Sequence, residues 1–216
     1  MTARHDDRRA IQPMIAELTS PADPRLDALL ALYARAIPAR ERKPDGAVRA
    51  MAGAPTHRVG VAEAGGRVVG FYLLFVGETL ALLEYMAVHE ACRGAGLGGG
   101  LYRAARRAAG ARTLVVEVES DREDVPDRPL RSRRLGFYRR LGARRLRDLD
   151  YILPLPGDGP PPWLDLLVDG VDGDAVSTAQ VARWLQEIYV GVYDCAADDP
   201  RLAAMLAGRT PCLTLE

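Results

Sequence analysis

The 216-residue sequence has no asparagine and only one lysine, Lys43; every other basic residue is an arginine. Lys+Arg and Asp+Glu both total 29, so the net charge is zero and no surplus cation is available to neutralise a phosphate backbone. That balance argues against nucleic acid as a partner. The three cysteines, Cys92, Cys195 and Cys212, show no CxxC spacing, so neither a closed disulfide framework nor a structural metal site is expected. The longest apolar runs, 71–76 and 80–83, are far short of the roughly 20 residues needed to span a bilayer. The stretch from Met1 to Arg9 is charged without an apolar core, so no secretory signal is expected and a cytoplasmic location is the default.

What is present is an ordinary globular composition, 48% hydrophobic and 27% charged, enough for one domain with an appendage. Residues 15–18 read as a first strand. Leu26, Leu29, Leu30, Tyr33 and Ile37 recur at helical spacing until Pro38. From His57 the period changes to two: segments 58–63 and 67–76 flank Gly65-Gly66 as a hairpin, and 79–88 adds a third strand. A glycine-rich segment and a helix follow, with Leu97, Leu101, Ala104, Ala105 and Ala108 on the apolar stripe. Further along come a strand at 113–120, an acidic loop, a helix at 131–141 and a strand at 150–155. Five prolines between 154 and 162 break the pattern. Beyond them lie a strand at 163–168 and a helix that opens on a capping box, Ser177 to Gln180. Its apolar face, from Val181 to Val192, either closes the domain's own core or meets a second copy in a homodimer.

The chemically informative segment is Arg93-Gly94-Ala95-Gly96-Leu97-Gly98-Gly99, between a strand and a helix. Glycines there let the backbone approach an anion, which meets unpaired N–H groups and the positive end of the helix. No Lys-Ser/Thr follows, so a P-loop is excluded. Gly94, Gly96 and Gly99 match G-x-G-x-x-G, with Glu117 or Glu119 at the distance of a ribose ligand, which is the dinucleotide reading. Its weakness is that five residues separate the strand from the first glycine, and three hairpin-like strands precede it.

Arg93-x-x-Gly96-x-Gly98 after Met86-Ala87-Val88 resembles the acyl-CoA motif, Q/R-x-x-G-x-G/A, of the GCN5-related N-acetyltransferase (GNAT) family. Downstream, Phe137-Tyr138-Arg139-Arg140-Leu141-Gly142-Ala143 resembles that family's F-Y-x-x-x-G-F segment, with Ala143 where Phe is usual. The resemblance spans residues 15–155. It implies an α/β fold with a mixed, mostly antiparallel central sheet, a splayed V between the motif strand and the next strand, and helices on both faces. It also implies a division into an acyltransferase domain, 1–155, and a C-terminal extension, 156–216.

By the same resemblance, acetyl-CoA is the cosubstrate, with no metal, and a small-molecule or peptide amine is the acceptor. Met86 and Val88 would offer backbone hydrogen bonds to the pantetheine arm. The turn of Arg93, Gly94, Ala95, Gly96, Leu97, Gly98 and Gly99 would hold the pyrophosphate. Tyr138 would protonate the leaving thiolate. For the base the expectation is Glu84, taken to share the parity of Met86 and Val88, since a carboxylate in an apolar strand is costly unless it faces a cleft or a partner. A salt bridge is the competing explanation, and Glu117 and Glu119 are the fallbacks. A non-catalytic acyl-CoA-binding module is the alternative function. The acidic loop, including Asp121, Glu123 and Asp124, would suit a cationic acceptor.

Overall fold

The computed structural model describes residues 13–154 and 163–216. The expected boundary between 155 and 156, and the stretch from Met1 to Arg9, lie outside the described residues.

The chain runs β1 (Met14–Leu18), α1 (Arg25–Ala36), α2 (Asp45–Met51), β2 (His57–Ala64), β3 (Arg67–Val76), β4 (Leu80–Val88), α3 (Leu97–Ala109), β5 (Thr113–Glu119) and α4 (Arg128–Arg140). It continues with β6 (Arg144–Arg145), β7 (Leu164–Asp169), β8 (Ala175–Ser177), α5 (Thr178–Gly191), α6 (Pro200–Leu206) and β9 (Cys212–Thr214). Among the described residues seven strands form one mixed sheet in the order β1-β2-β3-β4-β5-β7-β6, and β8 pairs with β9 separately. Every neighbouring pair in the large sheet is antiparallel except β4 with β5. A doubly wound parallel sheet, which the dinucleotide reading requires, is absent among the described residues.

The strand expected at 150–155 is reduced to an isolated bridge between Tyr151 and Leu164. The strand expected in the extension instead becomes β7, seated between β5 and β6. The central sheet therefore continues past residue 155. Its apolar register, Leu164, Leu166, Leu167 and Val168, is buried, as an interior strand with both faces covered must be.

Helices α3 and α4 cover one face, packing Leu101, Tyr102, Leu135 and Tyr138 against Leu74, Leu83, Val116 and Leu167. On the other face, α1 and α2 lie over β2 and β3, while α5 lies over Leu80, Leu82, Val115 and Val168. The capping box on α5 forms as expected, with Ser177 Oγ accepting from the Gln180 amide at 3.2 Å. Val181, Leu185, Ile188 and Tyr189 have no exposure, so the face considered for a homodimer is spent on the chain's own core.

Candidate active site

Two features of β4 create the site. First, β4 and β5 pair only from Leu80–Thr113 to Leu82–Val115 and then part, leaving the β4 edge from Leu83 onward open. This is the V that the sequence motif implies. Second, the register between β3 and β4 shifts at one point: Leu74 faces Leu83 and Leu73 faces Tyr85, so Glu84 is an extra residue, a β-bulge. A bulge breaks side-chain alternation. Glu84 and Tyr85 consequently share the α1/α5 face, whereas Met86 and Val88 pack toward α3 on the other.

The parity assumed for Glu84 is thus overturned, and its salt-bridge explanation holds. The Glu84 side chain is 3% exposed, with Lys43 Nζ at 2.9 Å and His57 Nε2 at 3.3 Å. Lys43 arrives on the loop between α1 and α2 and also donates to the Val192 carbonyl at 3.1 Å. That loop is fixed by two tyrosines: the Lys43 amide donates to Tyr33 Oη at 2.8 Å, and Tyr85 Oη donates to the Glu41 carbonyl at 2.7 Å.

Glu117 stands two residues beyond Val115, as Glu84 stands two beyond Leu82, so both carboxylates flank the mouth of the V on one face. Glu117 is half-buried there. It accepts from Tyr193 Oη at 2.5 Å and from Tyr151 Oη. Burial pushes its carboxyl up to about 7 from 4.5; the two hydroxyls hold it down, the Glu84 charge raises it and Lys43 lowers it.

On the opposite face, past the end of β4, lies an open cleft of about 400 Å³ bordered by Val88, Cys92, the glycine turn, Phe137 and Arg140. Arg93, Gly94, Gly96, Leu97, Gly98 and Gly99 all line it; Ala95 is exposed on the same turn but outside the lining. Gly94 and Gly96 have φ of +84° and +77°, a left-handed backbone that favours glycine, and a β-carbon at either would project into open space. At Gly98 a β-carbon would sit 3.4 Å from Phe137, so that glycine is explained in part by packing against α4. Helix α3 begins at Leu97, directing its unpaired amides and positive end at the cleft. Arg93 Nε reaches the Val88 carbonyl at 3.4 Å.

Tyr138 is buried beside Phe137 and Tyr102, with ring centroids 5.1 and 5.6 Å away. Burial pushes its phenol up to about 12, so it carries its proton at neutral pH. His89 caps the short turn after β4, its Nδ1 accepting from the Ala91 amide at 3.2 Å. Glu119 is committed to α4, 2.9 Å from Arg134.

Part of the acidic loop is tied up internally. Arg131, 10% exposed, gathers Glu123 at 2.7 Å, Asp127 at 3.1 Å and the Ser120 carbonyl at 3.2 Å, while Ser132 holds Asp121 at 2.8 Å. Sequence reasoning missed Lys43, Tyr151, Tyr193 and Arg140 as site residues. Lys43 carried a signal, being the lone lysine in an arginine-only chain, whereas the two tyrosines carried none.

Residues 55–142 match the family model described as "Acetyltransferase (GNAT) domain". Over this stretch the chain is similar to that acetyltransferase domain. Among solved structures, a protein described as a GNAT-family acetyltransferase from Bacteroides thetaiotaomicron superposes on the chain with a TM-score of 0.69. It is 19% identical, and the match covers 85% of this chain and 99% of that one. The ribosomal-protein-S18-alanine N-acetyltransferase from Escherichia coli matches at a TM-score of 0.55 and 17% identity, over 74% of this chain and 96% of its own. An aminoglycoside 6'-N-acetyltransferase complexed with coenzyme A matches at 0.56 and 16% identity, over 72% and 96%. At these identities the likeness is one of GNAT fold. A search of curated proteins finds no match. Among the described residues no helix is long and apolar enough to cross a membrane, and no three His, Cys, Asp or Glu side chains are grouped to hold a metal ion.

Proposed function

We propose that the protein transfers the acetyl group of acetyl-CoA to a primary amine by direct attack in a ternary complex. One arrangement carries the reading: a glycine-lined cleft on one face of the parted β4 and β5, and a half-buried carboxylate, held by two tyrosine hydroxyls and raised to about 7, on the other. The cleft fits a phosphate-bearing thioester, since Gly94 and Gly96 leave room for it and the first turn of α3 directs N–H groups at it.

Acetyl-CoA supplies an activated acyl group. The amides from Arg93 to Gly99 hold the pyrophosphate, with Arg93 and Arg140 adding charge-assisted contacts. Met86 and Val88, on the open stretch of the β4 edge, hydrogen-bond the pantetheine arm like an added strand, and an N–H near Val88 faces the oxygen that gains charge during attack. An aliphatic amine has a pKa of about 10 and arrives mostly protonated, so a base is needed. Glu117 fills that role better than Glu84, whose carboxylate is already engaged by Lys43 Nζ at 2.9 Å. Tyr138, protonated at neutral pH, serves the departing thiolate.

The test joins binding to turnover. Thermal-shift titrations with CoA, acetyl-CoA and NAD(H) should show stabilisation by the CoA ligands alone. A panel of primary amines should then release CoA thiol, with kcat reduced roughly 10²–10⁴-fold in Glu117→Gln and also reduced in Tyr138→Phe. Tight acetyl-CoA binding with no turnover on any amine would make this an acyl-CoA-binding module instead. Absence of any shift would remove the CoA reading.

A further inference from the structure

Glu117 is held from outside the GNAT domain match. Tyr193 follows α5, and Tyr151 lies in the segment between β6 and β7; both are beyond residue 142, and both donate to the same carboxylate, one to each oxygen. Their positions are anchored independently. Tyr151 is 4% exposed and bridges to Leu164. The turn carrying Tyr193 is tied down by Val192, whose carbonyl receives Lys43 Nζ, and by the Cys195 amide, which donates to the Tyr189 carbonyl at 2.9 Å. At the other end of the same face, Glu187 of α5 accepts from the Glu78 and Thr79 amides at 2.8 and 3.1 Å, and from Thr79 Oγ1, fixing the helix to the turn that launches β4. Helix α5 is therefore clamped to the strand that bears the bulge.

We infer that Tyr193 and Tyr151 are positioning residues that aim the Glu117 carboxylate and set its working protonation, which makes the α5 segment part of the acetyl-transfer machinery. This rests on the reading of Glu117 as the base. The physical argument is that a half-buried carboxylate gives up part of its hydration, and two phenol donors, one on each oxygen, are the replacement that favours its anion. The charged and titratable groups facing Glu117 come from every packed element: Glu84 and Tyr85 on β4, Lys43 from the α1–α2 loop, Tyr151, and Tyr189 and Tyr193 at the end of α5. Of these, the two hydroxyls that touch the carboxylate and Lys43 favour its ionised form.

Two readouts on the full chain test this. An isotope-edited NMR titration of glutamate carboxyl carbons, with Glu117→Gln for assignment, follows the group without any acceptor; the pH dependence of kcat follows it in turnover. Tyr193→Phe should move the Glu117 midpoint upward by roughly half to one pH unit, and the acidic limb of the rate profile with it. That shift makes the loss roughly three- to tenfold below the limb and much smaller on the alkaline plateau. Tyr151→Phe should act in the same direction and serves as the second variant if Tyr193→Phe does not fold. A midpoint unmoved in the folded variants, or a loss equal at every pH, overturns the inference and leaves Glu117 as base. A midpoint that moves while the rate limb stays fixed overturns Glu117 as the base, and the inference with it.

Discussion

Lys43 Nζ lies 2.9 Å from the Glu84 carboxylate, joining the loop after α1 to the bulge in β4. The pair lies on the α1/α5 face of the V, and it is asymmetric: the Glu84 side chain is 3% exposed and that of Lys43 26%. Removing the cation strands a buried anion, whereas removing both charges need not cost much. Lys43→Met should therefore lower the unfolding free energy by about 2–4 kcal/mol, toward the lower part of the range for buried pairs because Lys43 is partly wet. Urea denaturation of Lys43→Met and of Lys43→Met/Glu84→Gln checks this. The double variant should recover much of the loss, and equal losses in the two would show that Glu84 does not depend on Lys43.

Glu117 makes stability depend on pH in a fixed direction. Its carboxyl is raised in the folded protein, so between about 4.5 and about 7 the native state binds more protons than the unfolded chain. Stability from this group is full below that window and is lost as pH rises through it. Wild-type protein should lose up to about 3 kcal/mol relative to Glu117→Gln on going from acid to mildly alkaline conditions. Denaturation curves at both ends of the window measure it; parallel behaviour of the two proteins would mean that Glu117 is ionised throughout.

Gly96→Glu places a carboxylate on a left-handed residue at the positive end of α3, in the open space beside the cleft. Stabilisation by CoA should vanish in a thermal-shift assay, and the unliganded protein should lose roughly 1–2 kcal/mol from the backbone conformation alone. Retained stabilisation by CoA would move the phosphate site away from this turn.

Arg131 and Arg134 contact the same glutamate, Glu119, from different depths. Arg131→Ala should cost about 3 kcal/mol, because it leaves Glu123 and the Ser120 carbonyl without their shared donor inside the loop. Arg134→Ala, at 42% side-chain exposure, should stay within about 1 kcal/mol of wild type. Melting temperatures of the two variants should separate clearly; similar values would mean that the loop is not organised around Arg131.

The sequence carried the strand meander, the glycine turn and α3 plainly, because each rests on local periodicity or on a turn that only glycine accommodates. It did not carry the bulge. A single inserted residue leaves no periodic trace, so the alternation from Leu82 through Glu84 to Met86 reads as unbroken and puts Glu84 on the face opposite the one it occupies. The place of β7 was likewise hidden, since joining Leu164–Asp169 to β5 depends on pairing across a distant stretch of chain. Tyr151 and Tyr193 have the composition of ordinary core tyrosines, and only the folded arrangement reveals that they meet at one carboxylate. Tyr138 and the residues of the glycine turn are legible as a motif, although Phe137 rather than Tyr138 borders the cleft.

The insertion of β7 between β5 and β6 has a bearing on biosynthesis. Strand β5 emerges from the ribosome well before its neighbour, and at about 5–20 residues per second its outer edge waits for seconds before Leu164–Asp169 arrives. During that interval Leu114, Val115, Val116 and Val118 form an unsatisfied apolar template of the kind that recruits other nascent strands. Yield in cells should thus respond to translation speed between Glu119 and Leu164, and to chaperone supply, even where the finished protein is stable.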